Sequence, residues 1–227
     1  MKKGFILFFI LLFPSLLYLV LTTGKHNILK LPIYGPRYAV ETSKSGVTDT
    51  IYHTIPEFRF VNQNNETVSR KDIEGKITIV DFFFTTCQSI CPKMSTELYR
   101  VQEKTKDIND LIILSHTVNP ENDSVSVLAD YAYKMNAEKS RWHFLTGEKK
   151  ELYDLARYGY FITALDGDGG ADDFIHSEKF VLVDKLGRIR GYYDGTSKED
   201  VDKLIDEIKV LKAEEFIPKK EKKHVDS

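Results

Sequence analysis

Ile77-Thr78-Ile79-Val80-Asp81-Phe82-Phe83-Phe84-Thr85-Thr86-Cys87-Gln88-Ser89-Ile90-Cys91-Pro92-Lys93-Met94 is the stretch on which the fold of this chain turns. Ile77 to Phe84 is dense in β-branched and aromatic residues, the pattern of a strand buried on both faces at the centre of a sheet. Thr85-Thr86-Cys87 ends it. Beyond Pro92, the apolar residues Met94, Leu98 and Val101 recur at helical spacing to about Lys106. Pro92 suits the first turn of that helix, where a backbone N–H has no intrahelical partner. The stretch predicts a central strand running into a helix, with two cysteines at the junction.

Working outward, Phe58–Val61 and Thr67–Val68 flank Asn62-Gln63-Asn64-Asn65, a hairpin signature. Downstream come a strand over Leu111–Val118, a turn over Asn119–Ser124, and a helix to about Met135 that Asp123 or Ser124 can cap. Trp142–Leu145 reads as a strand and Glu148–Tyr158 as a helix. Leu165–Asp173, with three glycines and four aspartates, reads as a polar loop. Phe180–Asp184 and Ile189–Tyr193 form a second hairpin around Lys185–Arg188. Ser197–Ala213 is an amphipathic final helix. This order implies a mixed α/β sheet covered by helices on both faces. A cysteine pair where the central strand enters a helix makes the arrangement thioredoxin-like.

The chain begins Met1-Lys2-Lys3, followed by an apolar run from Phe5 to Leu21. As a helix that run is about 25 Å long, at the short end of what crosses a bilayer. The lysines before it place the N-terminus in the cytoplasm and the remainder outside. Residues 1–22 are therefore expected to be an uncleaved anchor. A cleaved signal peptide is the alternative, although no small-x-small cleavage site follows Leu21. Residues 23–50, rich in turn formers, read as a linker. An extra strand pair of the domain is the alternative for Leu31–Val40. The domain spans 51–214, and 215–227 is a charged tail expected to be disordered. With 32 basic against 34 acidic residues, no electrostatic ground exists for a nucleic-acid partner.

Cys87 and Cys91 are the only cysteines, too few for a disulfide-stapled scaffold. They close too small a loop to stabilise by chain entropy. The pair reads as chemistry. The helix N-terminus is expected to stabilise a thiolate at Cys91. Positions four apart on a helix share a face, so both sulfurs can meet one ion or close a disulfide. Two thiolates are a soft donor set that favours Cu(I) over hard cations. A further donor is needed, and imidazole is the natural one. Of six histidines, His26 falls in the linker, His224 in the tail, His53 before the first hairpin, His116 in a buried strand and His143 beside Trp142. His176 stands apart: it follows the Asp-Gly loop and opens the second hairpin. Asp166, Asp168, Asp172 and Asp173 lack the ordered ligand series of a calcium loop and read as a solvated hinge.

Four blocks together resemble the Sco (SenC) family of copper-binding proteins of cytochrome oxidase assembly: Phe82–Met94, Ser115–Asp123, Trp142–Gly147, and Ile175-His176-Ser177 with the strand to Asp184. The resemblance covers roughly Tyr52 to Ala213. It implies a thioredoxin-like domain on the outer, periplasmic side of the cytoplasmic membrane. It implies a copper ion, Cu(I) and also Cu(II), held by Cys87, Cys91 and His176. The implied task is delivery of copper to, or reduction of thiols at, the binuclear copper site of a terminal oxidase, whose copper-receiving subunit would be the partner, with a thiol reductant serving the Cys87/Cys91 pair. The chain departs from the family in having Gln88-Ser89 where Pro-Asp is usual and Ile175 where an Asp commonly precedes the histidine. Those losses alter the hydrogen bonding and charge around the ligands. Two other readings stand beside the copper chaperone: a thiol-disulfide oxidoreductase with Cys87 and Cys91 as the catalytic redox pair and no need of His176, and a peroxidase, which the three-residue spacing and following proline fit less well.

Overall fold

The computed structural model describes residues 9, 12–16, 30–41, 48–162 and 177–216. In chain order its elements are β1 (Arg37–Glu41), β2 (Thr48–Tyr52), β3 (Arg59–Asn62), β4 (Thr67–Ser69), α1 (Arg70–Ile73), β5 (Ile77–Phe83), α2 (Cys91–Lys104), β6 (Leu111–Thr117), α3 (Val125–Lys134), β7 (Trp142–Thr146), α4 (Lys149–Asp154), β8 (Lys179–Val183), β9 (Ile189–Asp194) and α5 (Lys198–Glu214).

Seven strands form one sheet in the order β4-β3-β7-β6-β5-β8-β9. β5, β6 and β7 run parallel, and the pairs β3/β4, β3/β7, β5/β8 and β8/β9 are antiparallel. This is the mixed thioredoxin-like sheet that the element order predicts. Every residue of β5 and of β6 is buried, the polar ones included, as befits central strands covered on both faces. Alternation splits them between two cores. Ile77, Ile79 and Phe83 join Met94, Leu98, Leu204 and Ile208 from α2 and α5 on one face. Val80 and Phe82 join Leu152, Leu155 and Tyr160 on the other. Each apolar helix stripe thus covers one side of the sheet.

The expected helix 148–158 is shorter and less regular. Glu148 caps α4 by accepting from the Glu151 N–H. After Asp154 the chain widens into a π-helical turn, Leu155–Gly159, in which the Tyr160 N–H reaches back to the Leu155 carbonyl at 2.9 Å. Ser124 occupies the N-cap of α3 without a side-chain capping bond.

The stretch expected to be a linker holds structure. β1 and β2 pair antiparallel as a separate two-stranded sheet. Residues 31–34 are strapped onto the domain, with the Tyr34 N–H donating to the Ile189 carbonyl at 2.9 Å. Arg190 explains the strap. Its guanidinium is buried, with a side-chain exposure of 3%, and a buried guanidinium requires acceptors. It donates to the carbonyls of Leu31 (2.7 Å) and Pro32 (2.9 Å), and to Glu214 and Asp184. Glu214 in turn accepts from the Leu31 N–H at 2.6 Å. Composition marked these residues as polar and turn-rich. What orders them is a cation some 160 residues away in sequence, at Arg190.

Residues 9 and 12–16 are helical. Among the described residues no helix is long and apolar enough to cross a membrane, and most of the Phe5–Leu21 run lies outside them. The Leu165–Asp173 loop with its aspartates, His176, His26, and the tail from 217 onward also lie outside the described residues.

His116 sits fully buried on β6 among Phe58, Phe60, Phe82 and Tyr160, stacked on Phe82 at a centroid distance of 5.1 Å. Neither ring nitrogen has a hydrogen-bond partner among the described residues. Burial drives its pKa down from 6.5 to about 3. The unfolded chain therefore takes up a proton below about pH 6.5 that the folded chain refuses until about pH 3, so stability falls as pH drops through that window. Replacing both orphaned nitrogens by an apolar ring is expected to stabilise the fold. His116→Phe should gain about 1–2 kcal/mol at neutral pH in urea unfolding, and its advantage over the parent should widen from pH 7 to pH 5.

Candidate metal centre

The two cysteines meet where the central strand ends. β5 delivers the chain at Phe83. The Cys87 N–H then turns back to the Phe84 carbonyl at 3.2 Å. Cys91 opens α2, with Ile90 at the N-cap, no side-chain cap and no acidic residue in the first turn. The helix start therefore keeps its positive end uncompensated. Both thiols are free. Cys87 is partly exposed and Cys91 is buried.

Their chemistry is unequal, and opposite to the sequence expectation. Burial works against a charge on Cys87, but the Cys91 thiol, the Cys91 N–H and the N–H and hydroxyl of Ser89 all donate to its sulfur. The Ser89 Oγ lies 3.6 Å away. Together they bring the Cys87 thiol down from 9.0 to about 7. Cys91 goes the other way, up to about 12, first because it is buried, then because it donates to Cys87 and faces the charge of Asp81. The stabilised thiolate belongs to Cys87, not Cys91. The first residue of a helix carries its side chain beside its own N–H. The sulfur four residues earlier lies in front of that N–H and collects the hydrogen bond.

Beneath the pair, the carboxyl of Asp81 on β5 is buried and pushed up to about 7 by burial, a rise that the hydrogen bond from the Ser115 hydroxyl limits. Ser115 also accepts from the Trp142 indole at 2.8 Å. Ser95 and Tyr131, 3.0 Å apart, complete the polar floor.

Asp123 is the residue the sequence reading undervalued, since there it was one of two helix-cap candidates. It is fully buried and ties the cysteine turn to β6. Its carboxylate accepts from the Thr85 N–H at 3.2 Å and from the hydroxyls of Thr85 and Thr117. Thr85 stands two residues before Cys87. An Asp in a turn after a buried strand gives no sign from sequence that it faces another strand's end.

Among the described residues no cluster of three or more His, Cys, Asp or Glu side chains is arranged to hold a metal ion. The Cys91 thiol and N–H both act on the Cys87 sulfur, so both sulfurs can face one soft cation. A third donor must come from elsewhere. His143 is half-buried against the amide of Asn62 at 3.2 Å, His53 is engaged with the Gly159 carbonyl, and His116 is enclosed. β5 and β8 are antiparallel, with Thr78 opposite Val183 and Val80 opposite Val181. That register brings the start of β8, and Ser177 just before it, beside the end of β5 from which the cysteine turn leaves.

The model of the SCO1/SenC family matches residues 48–213. This chain belongs to the SCO1/SenC family. An SCO1 protein homolog of Bacillus subtilis is 30% identical over 164 residues, spanning 72% of this chain and 85% of that protein. The solved structure of BsSco, described with a disulfide switch and as a member of the Sco family of cytochrome c oxidase assembly proteins, is 32% identical with a TM-score of 0.60, covering 70% of this chain and 93% of that one. Arabidopsis thaliana ScoI, solved with copper bound, is 26% identical with a TM-score of 0.55, covering 70% of this chain and 96% of that one. These SCO1/SenC structures share the thioredoxin-like fold described above.

Two measurements probe the site. Alkylation of the reduced protein by iodoacetamide, mapped by mass spectrometry, should modify Cys87 with a half-maximal rate near pH 7 and leave Cys91 largely unmodified below pH 9. Asp123→Ala strips the acceptor from the buried Thr117 hydroxyl and from two half-buried donors of Thr85, and should lower stability by about 2–3 kcal/mol in urea unfolding. Asp123→Asn, which keeps an acceptor oxygen, should cost less.

Proposed function

We propose that this chain is a copper metallochaperone that delivers copper to, or maintains the thiols of, the binuclear copper site of a terminal cytochrome oxidase. Cys87, Cys91 and His176 are its ligands. The N-terminal run anchors it to the cytoplasmic membrane with the domain on the outer, periplasmic side. The observation that carries the reading is the unequal sulfur pair, one thiolate near neutral pH and one protonated thiol in contact with it, at the rim of a family fold seen elsewhere with copper bound.

The pair suits a cargo site. Cys87, with its pKa brought down to about 7, is about half deprotonated at neutral pH and exposed enough to meet an incoming Cu(I) ion. Cys91 joins as the second ligand by releasing its proton, so loading is coupled to loss of one proton from the buried thiol. Two thiolates and a neutral imidazole match the softness of Cu(I). The β5/β8 register supports His176 as the third donor, because the strand that follows His176 begins beside the cysteine turn. Gln88, Ser89 and Ile175 put no carboxylate beside the ligands in sequence. The buried Asp81 beneath the pair is the carboxyl that acts on Cys91.

The same inequality favours a second reading, thiol-disulfide exchange. A thiolate at Cys87 attacks a target disulfide to form a mixed disulfide. Cys91, on losing its proton, then displaces the reduced target and leaves Cys87 and Cys91 joined. This route needs both cysteines and a reductant to reset them, and no histidine.

Copper titration of the reduced protein separates the two. The parent should bind one Cu(I) per chain. Cys87→Ala, Cys91→Ala and His176→Ala should each weaken binding by about a hundredfold or more, ~2.7 kcal/mol. Stoichiometric binding that survives His176→Ala removes His176 from the site. Absence of copper binding, together with turnover on a disulfide substrate, leaves the redox reading alone.

A further inference from the structure

The β1/β2 hairpin is a two-stranded sheet of its own, and a lone ribbon of two strands is only marginally stable in water. Arg37, Tyr38 and Ala39 on β1, and Thr50 and Ile51 on β2, are all exposed. The register sets Tyr38 opposite Ile51, so the two side chains stand together on one face. They are 65% and 55% exposed. A cross-strand pair of an aromatic and a β-branched residue ordinarily lies against apolar neighbours; this one lies in the open.

The root of the hairpin is fixed. The His53 N–H donates to the Pro36 carbonyl at 2.9 Å and joins its two ends. His53 also donates from Nε2 to the Gly159 carbonyl at 2.8 Å and packs on Phe161 at a centroid distance of 4.5 Å. Phe161 has a left-handed backbone, with φ 52°, which a bulky aromatic keeps only where its surroundings enforce it. Gly35 completes the contact: a Cβ there would lie 3.0 Å from Phe161 Cε2 and 3.1 Å from His53 Cβ. The hairpin therefore projects from the domain in a set direction.

That root lies at the base of the sheet. Tyr34 bonds to Ile189 at the start of β9, and Leu31 to Glu214 at the end of α5. Ile189 lies opposite Val183, and Val183 opposite Thr78 near the start of β5. The cysteine turn leaves the other end of β5, a strand of 7 residues and about 20 Å at about 3.3 Å per residue. The chain before the strap says what covers the exposed face. The apolar run ends at Leu21 and the strap begins at Lys30. The residues between them reach at most about 30 Å by any path, so a bilayer that holds the run stays within that distance of the base. From Thr22 to Val40 the chain carries Lys25, Lys30 and Arg37 and no Asp or Glu, a charge that suits anionic headgroups. Tyrosine, apolar in its body and polar at its tip, suits the depth of those headgroups.

We propose that the Tyr38/Ile51 face is a membrane-contact surface, seated in the headgroup region of the bilayer, so that the domain stands base-down with its cysteine rim one strand length farther from the lipid. The inference rests on the reading of residues 1–22 as an anchor. The lipid supplies the apolar partner that the ribbon lacks in water, and a copper acceptor then meets the sulfurs on the side away from the membrane.

The test uses the full-length chain in vesicles of mixed phosphatidylcholine and phosphatidylglycerol, with lipids brominated near the top of the acyl chain as short-range quenchers of Trp emission. Tyr38→Trp and Ile51→Trp should each add a blue-shifted emission that the brominated lipid quenches. The parent, whose one Trp is the buried Trp142, should not be quenched. Neither should Glu121→Trp, on the exposed turn that follows β6 at the cysteine end. Ile51→Asp added to Tyr38→Trp should abolish the quenching and shift the emission back to the red. If both hairpin reporters are unquenched in protein that floats with the vesicles and resists alkaline carbonate, the contact is overturned and the anchor stands. A blue shift without quenching that grows with the protein-to-lipid ratio assigns the face to a second copy and overturns the contact too. Equal quenching of Glu121→Trp overturns the base-down orientation. Protein that carbonate extracts has no anchor, and the contact falls with that reading.

Discussion

The thiol and backbone N–H of Cys91 at the start of α2, with the N–H and hydroxyl of Ser89, bring the Cys87 thiol down to about 7. The donor's own sulfur is buried and stays protonated. The site exists because these two facts coexist within five residues. If both sulfurs were exposed, neither would have a donor fixed against it. If both were buried, neither would ionise or meet a cation. A helix start placed against the end of a buried strand meets both conditions, since it aims N–H groups at the rim while its first side chain turns into the core.

That junction has to be held rigidly, and the sheet does so from below. β5 lies between β6 and β8, so its end cannot shift without disturbing two neighbours. Asp123 grips Thr85 and Thr117 together, tying the cysteine turn to the end of β6. Asp81, Ser115 and Trp142 form a second polar chain across the same face. Buried polar groups that are fully partnered in this way favour one arrangement of the core over its alternatives. His116, on the opposite face, has no such partners. It is a place where the fold gives up stability.

The N-terminal strap is fastened to the domain at the end of the sheet's last hairpin and the final helix. Arg190 and Glu214 fasten residues 31 and 32, and Gly35 and His53 then close on the chain that leads to His176. An element that composition marks as a spacer thus packs against Gly159 and Phe161, at the end of the π-helical turn. Buried cation, carbonyl acceptors and aromatic packing all act between parts of the chain far apart in sequence.

The sequence by itself determined the local periodicities: the buried strand Ile77–Phe84, the helix after Pro92, the two hairpins and the amphipathic final helix. From these followed the mixed sheet, and from the cysteine spacing the soft donor pair at its edge. These are legible because strand and helix patterns, and a pair of thiols four apart, are properties of neighbouring residues. Which cysteine ionises, where Asp123 points, why 31–41 is ordered and how Phe161 is strained were decided only by tertiary structure. Each depends on what a distant segment places within a few ångströms: an N–H aimed at a sulfur, a strand end beside a carboxylate, a buried guanidinium in want of acceptors, an imidazole against a ring. Burial and hydrogen-bond geometry are set by packing, and no window of sequence contains them.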